Sequence, residues 1–148
     1  MIKKFSLFLL IATGVFLIDQ SLKRLFLDGF RWDGSYISLI LVFNKGVAFS
    51  LLSFLQEYLK YVQVAIFVII SLYLAFEKRV FTKYLMPLGI LYGAGIGNLY
   101  DRFVHDGVVD YIFWHKWFNF AVFNFADVMI DFAIIWIVYI GYKGKSDA

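Results

Sequence analysis

At 148 residues the chain has a length that suits one domain. It is 62% hydrophobic and only 17% charged, with a mean hydropathy of +0.77. Soluble domains carry about 45–50% apolar and about 25% charged residues, so a soluble fold is excluded and lipid must solvate much of the surface. Zero cysteines exclude disulfides, thiol redox chemistry, Cys-ligated metals and a Cys nucleophile. The net charge of +3 is spread in Lys/Arg pairs at segment ends, a pattern of membrane orientation and not of nucleic-acid binding.

In chain order, the first apolar run follows Lys3 and Lys4. It lacks a small-x-small cleavage site and continues past Asp19 through Leu27. A retained spanning helix over 5–27 is therefore expected, about 20 residues being what a bilayer core needs. Residues 28–58 change character. Gly29, Gly34 and Gly46 punctuate a β-branched run, ISLILVF over 37–43, which predicts strand and turn at an interface. Apolar residues at helical spacing over 49–60 predict a short helix lying on the surface.

A second span is expected over 58–76, closed by Glu77, Lys78, Arg79 and Lys83. The third covers 84–100, with Pro87 near its start, where proline is tolerated. Gly89, Gly93 and Gly97 recur at intervals of four there, a face that lets a neighbouring helix come close. The fourth span is expected over 121–142, followed by Lys143 and Lys145. The expectation is thus an all-α membrane protein of one integral-membrane domain. It has four transmembrane helices, a small outward-facing extended segment and an interfacial helix.

In this arrangement Lys3, Lys4, Lys78, Arg79, Lys83, Lys143 and Lys145 share one side, which the positive-inside rule makes cytoplasmic, with both termini. The 28–58 and 101–119 loops then face outward. Asp19 lies roughly 21 Å along its helix from Phe5, and Asp127 roughly 9 Å from Ala121, at 1.5 Å per residue. Both fall in the outer half of the membrane, beside the loop that holds Asp110. Carboxylates at such depths are costly and mark function by default.

Five blocks then occur in order: Asp19-Gln20-x-x-Lys23; Asn44-Lys-Gly46-Val-Ala48-Phe49-Ser50; Gly97-Asn98-Leu-Tyr-Asp101-Arg102; Val108-Val109-Asp110-Tyr-Ile; and Phe123-Asn124-Phe-Ala126-Asp127. Together they resemble prolipoprotein signal peptidase, the type II signal peptidase of bacteria. The resemblance implies a four-helix aspartyl protease of the bacterial cytoplasmic membrane, acting as a monomer at the outer face. It implies a diacylglyceryl-modified prolipoprotein substrate, cut before the lipidated cysteine, and no metal or other cofactor. Asp110 and Asp127 stand at the family's catalytic positions. Departures are small: Val47 where Ala is common, Tyr100 where Ile is common, and Asp131-Phe132 where Gly often occurs. Asp131 has no role in that pattern.

The chemistry is consistent on its own terms. Peptide hydrolysis without a metal or covalent nucleophile needs an activated water and a polarised carbonyl, and two carboxylates sharing one proton supply both. Blander roles remain open for the other residues. Asp127 suits a helix entry, where an acid favours the dipole. Asp19 and Lys23 form an i,i+4 pair that is structural, or that orients the site. Asn44, Asn98, Arg102 and Asn124 either satisfy loop backbone groups or hydrogen-bond to the acids or substrate; Gly46 belongs with them. Asp101 reads as a partner for Arg102, and His105 and His115 as solvated or interfacial loop residues. Rival readings are another intramembrane protease, a proton-relaying carrier and an assembly subunit. No H-E-x-x-H or G-x-S-x-G motif supports the first.

Overall fold

In a computed structural model of the chain, residues 1–46, 58–105 and 107–146 are described. Among these residues five helices and three short strands follow one another: α1 (Ile2–Leu27), β1 (Trp32–Asp33), β2 (Ile37–Asn44), α2 (Leu59–Phe76), α3 (Lys78–Lys83), α4 (Leu85–Val104), β3 (Val108–Trp114) and α5 (Phe125–Ser146). Among the described residues, three helical stretches are long and apolar enough to cross a bilayer: Ile2–Leu27, Leu59–Phe76 and Phe125–Lys143. α4 has comparable length at 20 residues, but its glycines with Asn98, Asp101 and Arg102 make it less apolar.

α4 is the central element, with α1, α2 and α5 around it. α1 buries Phe8, Ala12, Asp19, Lys23 and Phe26, a single stripe at helical spacing, and leaves its other faces outward. The glycine ridge expected on α4 faces that stripe. Gly89 lies against Ile11, Gly93 against Ala12 and Val15, and Gly97 against the Asp19 carboxylate. A Cβ at Gly93 would collide with the Ala12 backbone, so only glycine permits this helix separation. Phe8, Ala12, Leu74, Phe81, Leu85, Leu88 and Tyr92 form an apolar core where α1 begins. The other end of the bundle, where α1 finishes and α5 starts, is polar inside.

Over that polar end lies an antiparallel sheet in the order β1-β2-β3. Val42 opposes Asp110, and Asn44 opposes Val108. One extra residue on β2 between Leu39 and Val42 makes a bulge; a bulge of this kind bends its strand and increases the local twist. Gly107 enters β3 at φ 146° with no room for a Cβ beside the Asn44 backbone, a close approach reserved for glycine.

The structure corrects several expectations. Asp110 is not a loop acid but sits on β3. The third helix continues beyond Tyr100 to Val104, which puts Asp101 and Arg102 on helix. The 77–83 connection forms the short helix α3. The last helix starts at Phe125 and not at Ala121, because Phe123 is held in extended conformation by backbone bonds with Ile112. The surface helix expected over 49–60 lies outside the described residues up to position 57; Tyr58 precedes α2 and Leu59 opens it.

Candidate active site

Asp127 enters the site through a reciprocal cap. Asn124 Oδ1 accepts the Asp127 N–H at 2.9 Å, and Asp127 Oδ2 accepts the Asn124 N–H at 3.0 Å. This is the capping-box arrangement, with both partners satisfying N–H groups that a helix start leaves free. It fixes where α5 begins and puts Asp127 in the first turn, shallower than the sequence-based depth.

Asp110 is fixed from the other side. The start of α5 is tied to β3 by Tyr111 N–H and Ile112 N–H donating to Phe123 O, and by Phe125 N–H donating to the Tyr111 hydroxyl at 3.1 Å. Asn124 Nδ2 then donates to Asp110 Oδ1 at 2.7 Å, and Asn44 Nδ2 to Asp110 Oδ2 at 3.0 Å. Val42 and Asp110 are opposite partners, so Asn44, two residues on, shares the Asp110 face. Both acids line one cavity of about 390 Å³, together with Asn44, Asn98, Arg102 and the 120–123 stretch. Burial pushes the Asp110 carboxyl up to about 7; the nearby Asp127 charge adds to the rise, while the Asn44 and Asn124 amides oppose it.

Behind the acids, Lys23 is buried and uses all three of its N–H donors. Its Nζ meets Asp101 Oδ2 at 2.7 Å, Asp19 Oδ2 at 2.8 Å and Asn98 Oδ1 at 2.8 Å. Asn98 passes the order forward: its Nδ2 donates to Asp127 Oδ1 at 2.9 Å, and its Oδ1 also accepts from Asn124 Nδ2 at 3.1 Å. Asp19 accepts the Ala126 N–H, and Asp101 accepts the Val109 N–H. Each acid therefore holds the backbone beside one cavity carboxylate. Arg102 donates to Gly46 O at 2.5 Å, and Gly46 N–H donates to Asn44 Oδ1. Among the described residues no buried side-chain nitrogen or oxygen lacks a partner.

All nine residues singled out in the sequence thus join one hydrogen-bonded system: Asp19, Lys23, Asn44, Gly46, Asn98, Arg102, Asp110, Asn124 and Asp127. Three further members stood outside those nine. Asp101 pairs with Lys23 and not with Arg102. Gln20 Nε2 bridges Asp19 and Asp101 at 3.2 and 3.0 Å; its place beside Asp19 in the first motif was the available signal. Tyr111 carries the start of α5 on its hydroxyl and stacks on Phe26 at 4.1 Å between ring centroids. His115 is half-buried, with its Nε2 2.9 Å from Ser38 Oγ.

The profile described as Signal peptidase (SPase) II matches residues 11–143. The chain belongs to the signal peptidase II family. It is accordingly a peptidase, and the carrier and assembly-subunit readings fall. A relative from Sulfurovum sp. (strain NBC37-1), named lipoprotein signal peptidase, is 54% identical over 140 residues, covering 95% of each chain. One of the same name from Sulfurimonas denitrificans is 46% identical over 144 residues, covering 97% of this chain and 93% of its own. A solved bacterial membrane enzyme shares the fold, with a TM-score of 0.79 at 24% identity over 96% of this chain and 91% of that one. The signal peptidase II match includes both cavity acids and the buried lysine behind them.

Proposed function

We propose that this peptidase removes signal peptides from diacylglyceryl-modified prolipoproteins, cutting before the lipidated cysteine, with Asp110 and Asp127 as its acid/base pair. The observation that carries this reading is one side chain. Asn124 hydrogen-bonds to both acids, donating to Asp110 and accepting from the Asp127 backbone, and both carboxylates open on one cavity. The relatives named lipoprotein signal peptidase support the substrate class.

Asp110 holds the shared proton, its carboxyl being buried beside a second acid. Asp127, ionised, takes a proton from water as the water attacks the scissile carbonyl carbon. Asp110 gives its proton to the carbonyl oxygen. As the tetrahedral intermediate collapses, the proton on Asp127 passes to the leaving amine, and Asp110 recovers its own from the intermediate's hydroxyl. The steps balance with water as the only co-reactant.

α4 supplies the fourth span. Its polar residues Asn98 and Asp101 are buried against protein and so escape the lipid. Basic residues at both chain ends and at 78–83 put those parts on the cytoplasmic side of the bacterial inner membrane and the acids toward the outer face. The substrate's lipid stays in the bilayer while the peptide reaches the cavity from the side, and one copy of the chain suffices.

The test is cleavage of a diacylglyceryl-modified prolipoprotein in liposomes by wild type, Asp110→Asn and Asp127→Asn, each checked for folding. Cleavage by wild type alone is expected, unaffected by chelators. Activity surviving in either variant removes that residue from the pair; equal cleavage of unlipidated precursor removes the lipid from recognition.

A further inference from the structure

A second cavity, of about 410 Å³, lies at the end of the bundle opposite the acids. It runs between the start of α1 and the end of α2, and its floor is buried and apolar: Phe8, Leu74, Phe81 and Tyr92. Phe5 and Ala75 at its edge are exposed, on helices apolar enough to cross a bilayer, so hydrocarbon and not water meets it. Two polar features break this lining. Lys78 stands in the wall, exposed, with Arg79 next to it in the chain and Lys3 and Lys4 within a turn of Phe5 on α1. Among the described residues none of these four basic side chains makes a hydrogen bond or ion pair. Deeper in the groove, Ser71 Oγ and the Tyr92 hydroxyl lie 2.9 Å apart. One bond between two hydroxyls uses one of their two O–H donors. Neither group has a further partner among the described residues, so one O–H is left over at the cavity wall.

We propose that this groove holds one phospholipid with an anionic headgroup. Its phosphate meets Lys78, and Arg79, Lys3 and Lys4 add positive potential around it. One acyl chain lies along Phe8, Leu74 and Phe81, and an ester carbonyl oxygen accepts the spare O–H of the Ser71–Tyr92 pair. The spacing suits such a molecule. Ser71 precedes Phe76, the last residue of α2, by about 7 Å at 1.5 Å per residue, and the glycerol esters of a phospholipid lie just below its phosphate. The charge selects the headgroup. Unpaired cations beside a single acid, Glu77, attract an anionic lipid and repel a basic peptide. An apolar groove also gains by being filled, because an empty one forfeits the dispersion contacts of its lining. A neutral lipid fills it but leaves the cations uncompensated. Bound there, the lipid bridges α1 and α2 and stabilises the fold by mass action.

The experiment titrates the purified protein in neutral detergent with dioleoyl phosphatidylglycerol or dioleoyl phosphatidylcholine. Retained lipid is read by native mass spectrometry, and the unfolding temperature is followed in parallel. Wild type is expected to hold one phosphatidylglycerol about tenfold more tightly than phosphatidylcholine, and to unfold at a higher temperature with it. Lys78→Gln should weaken phosphatidylglycerol binding about fivefold, the contribution of one basic residue at an anionic surface, and leave phosphatidylcholine unchanged. Ser71→Ala should weaken both lipids alike, since both carry the ester. Lys116→Gln, exposed just beyond β3 on the side of the acids, should change neither. Equal affinity for the two lipids overturns the proposal, and so does Lys116→Gln weakening binding as much as Lys78→Gln, which leaves only general charge attraction. Binding unaffected by Ser71→Ala overturns the placement of the lipid in this groove. Prolipoprotein cleavage is no part of the readout, so the outcome is independent of the substrate reading.

Discussion

Asn124 Nδ2 donates to Asp110 Oδ1 at 2.7 Å, while its Oδ1 caps the helix that carries Asp127. One side chain thus sets the angle between a strand acid and a helix acid. Asn124→Ser keeps an oxygen for the cap but loses the amide donor, and Asn124→Ala loses both. Asn124→Ala should cost about 1 kcal/mol of stability through the cap, measurable by unfolding in detergent, and Asn124→Ser much less. Both should lose roughly 100-fold in kcat/KM, as misplaced catalytic groups do. Equal activity in Asn124→Ser and wild type would make the amide irrelevant to the acids.

Lys23 is surrounded by Asp19, Asp101 and Asn98 in the protein interior. Lys23→Met leaves two buried acids facing each other and should destabilise by about 3–5 kcal/mol. Adding Asp101→Asn should recover part of that loss, because the uncompensated charge is then reduced. A double variant no more stable than the single one would show that the charge balance does not govern this site.

Gly97 touches the Asp19 carboxylate, which cannot retreat because Lys23, Gln20 and the Ala126 N–H all hold it. Gly97→Ala should therefore cost about 1–3 kcal/mol as an overpacked contact and lower activity with it. Gly14 has nothing within 4 Å of where its Cβ would stand. Gly14→Ala should be neutral or stabilising by about 0.5–1 kcal/mol, since Ala is the better helix former. Equal unfolding temperatures for the two variants would refute the contact argument.

Asp110 sets an upper pH limit. Its folded-state carboxyl titrates at about 7, above its ordinary value of 3.8. The folded state therefore binds the extra proton between those values, and this contribution to stability is full below 3.8 and lost as pH rises through about 7. In the proposed mechanism the catalytic proton goes with it. kcat/KM should fall on the alkaline side of about 7, and stability should decline as pH rises from 3.8 to about 7. Asp110→Asn should remove that decline in stability. A rate flat to pH 9 would assign the proton elsewhere.

The sequence carried the class of the molecule and its family. Hydropathy alone demanded lipid, because no soluble core absorbs so many apolar residues. Gly89, Gly93 and Gly97 announced a close helix contact through spacing that needs no partner to be read. Asp110 and Asp127 were legible because ordered polar blocks stand out from an apolar chain. Asp101 illustrates the limit: beside Arg102 in sequence, it is bound in space to Lys23, 78 positions earlier in the chain. Pairing across such separations depends on how α1 and α4 rotate about their axes, which hydrophobic periodicity fixes only to a face. The strand under Asp110 was equally hidden, since β3 exists through its backbone bonds to β2 and to Phe123, whose donors and acceptors every residue carries. The start of α5 was misjudged for a related reason. Apolar residues 121–123 suit a span by hydropathy, but their backbone was claimed by β3, and the Asn124–Asp127 cap then set the first turn. Side-chain identity thus determined which groups were available; three-dimensional competition for backbone and charge decided which of them met.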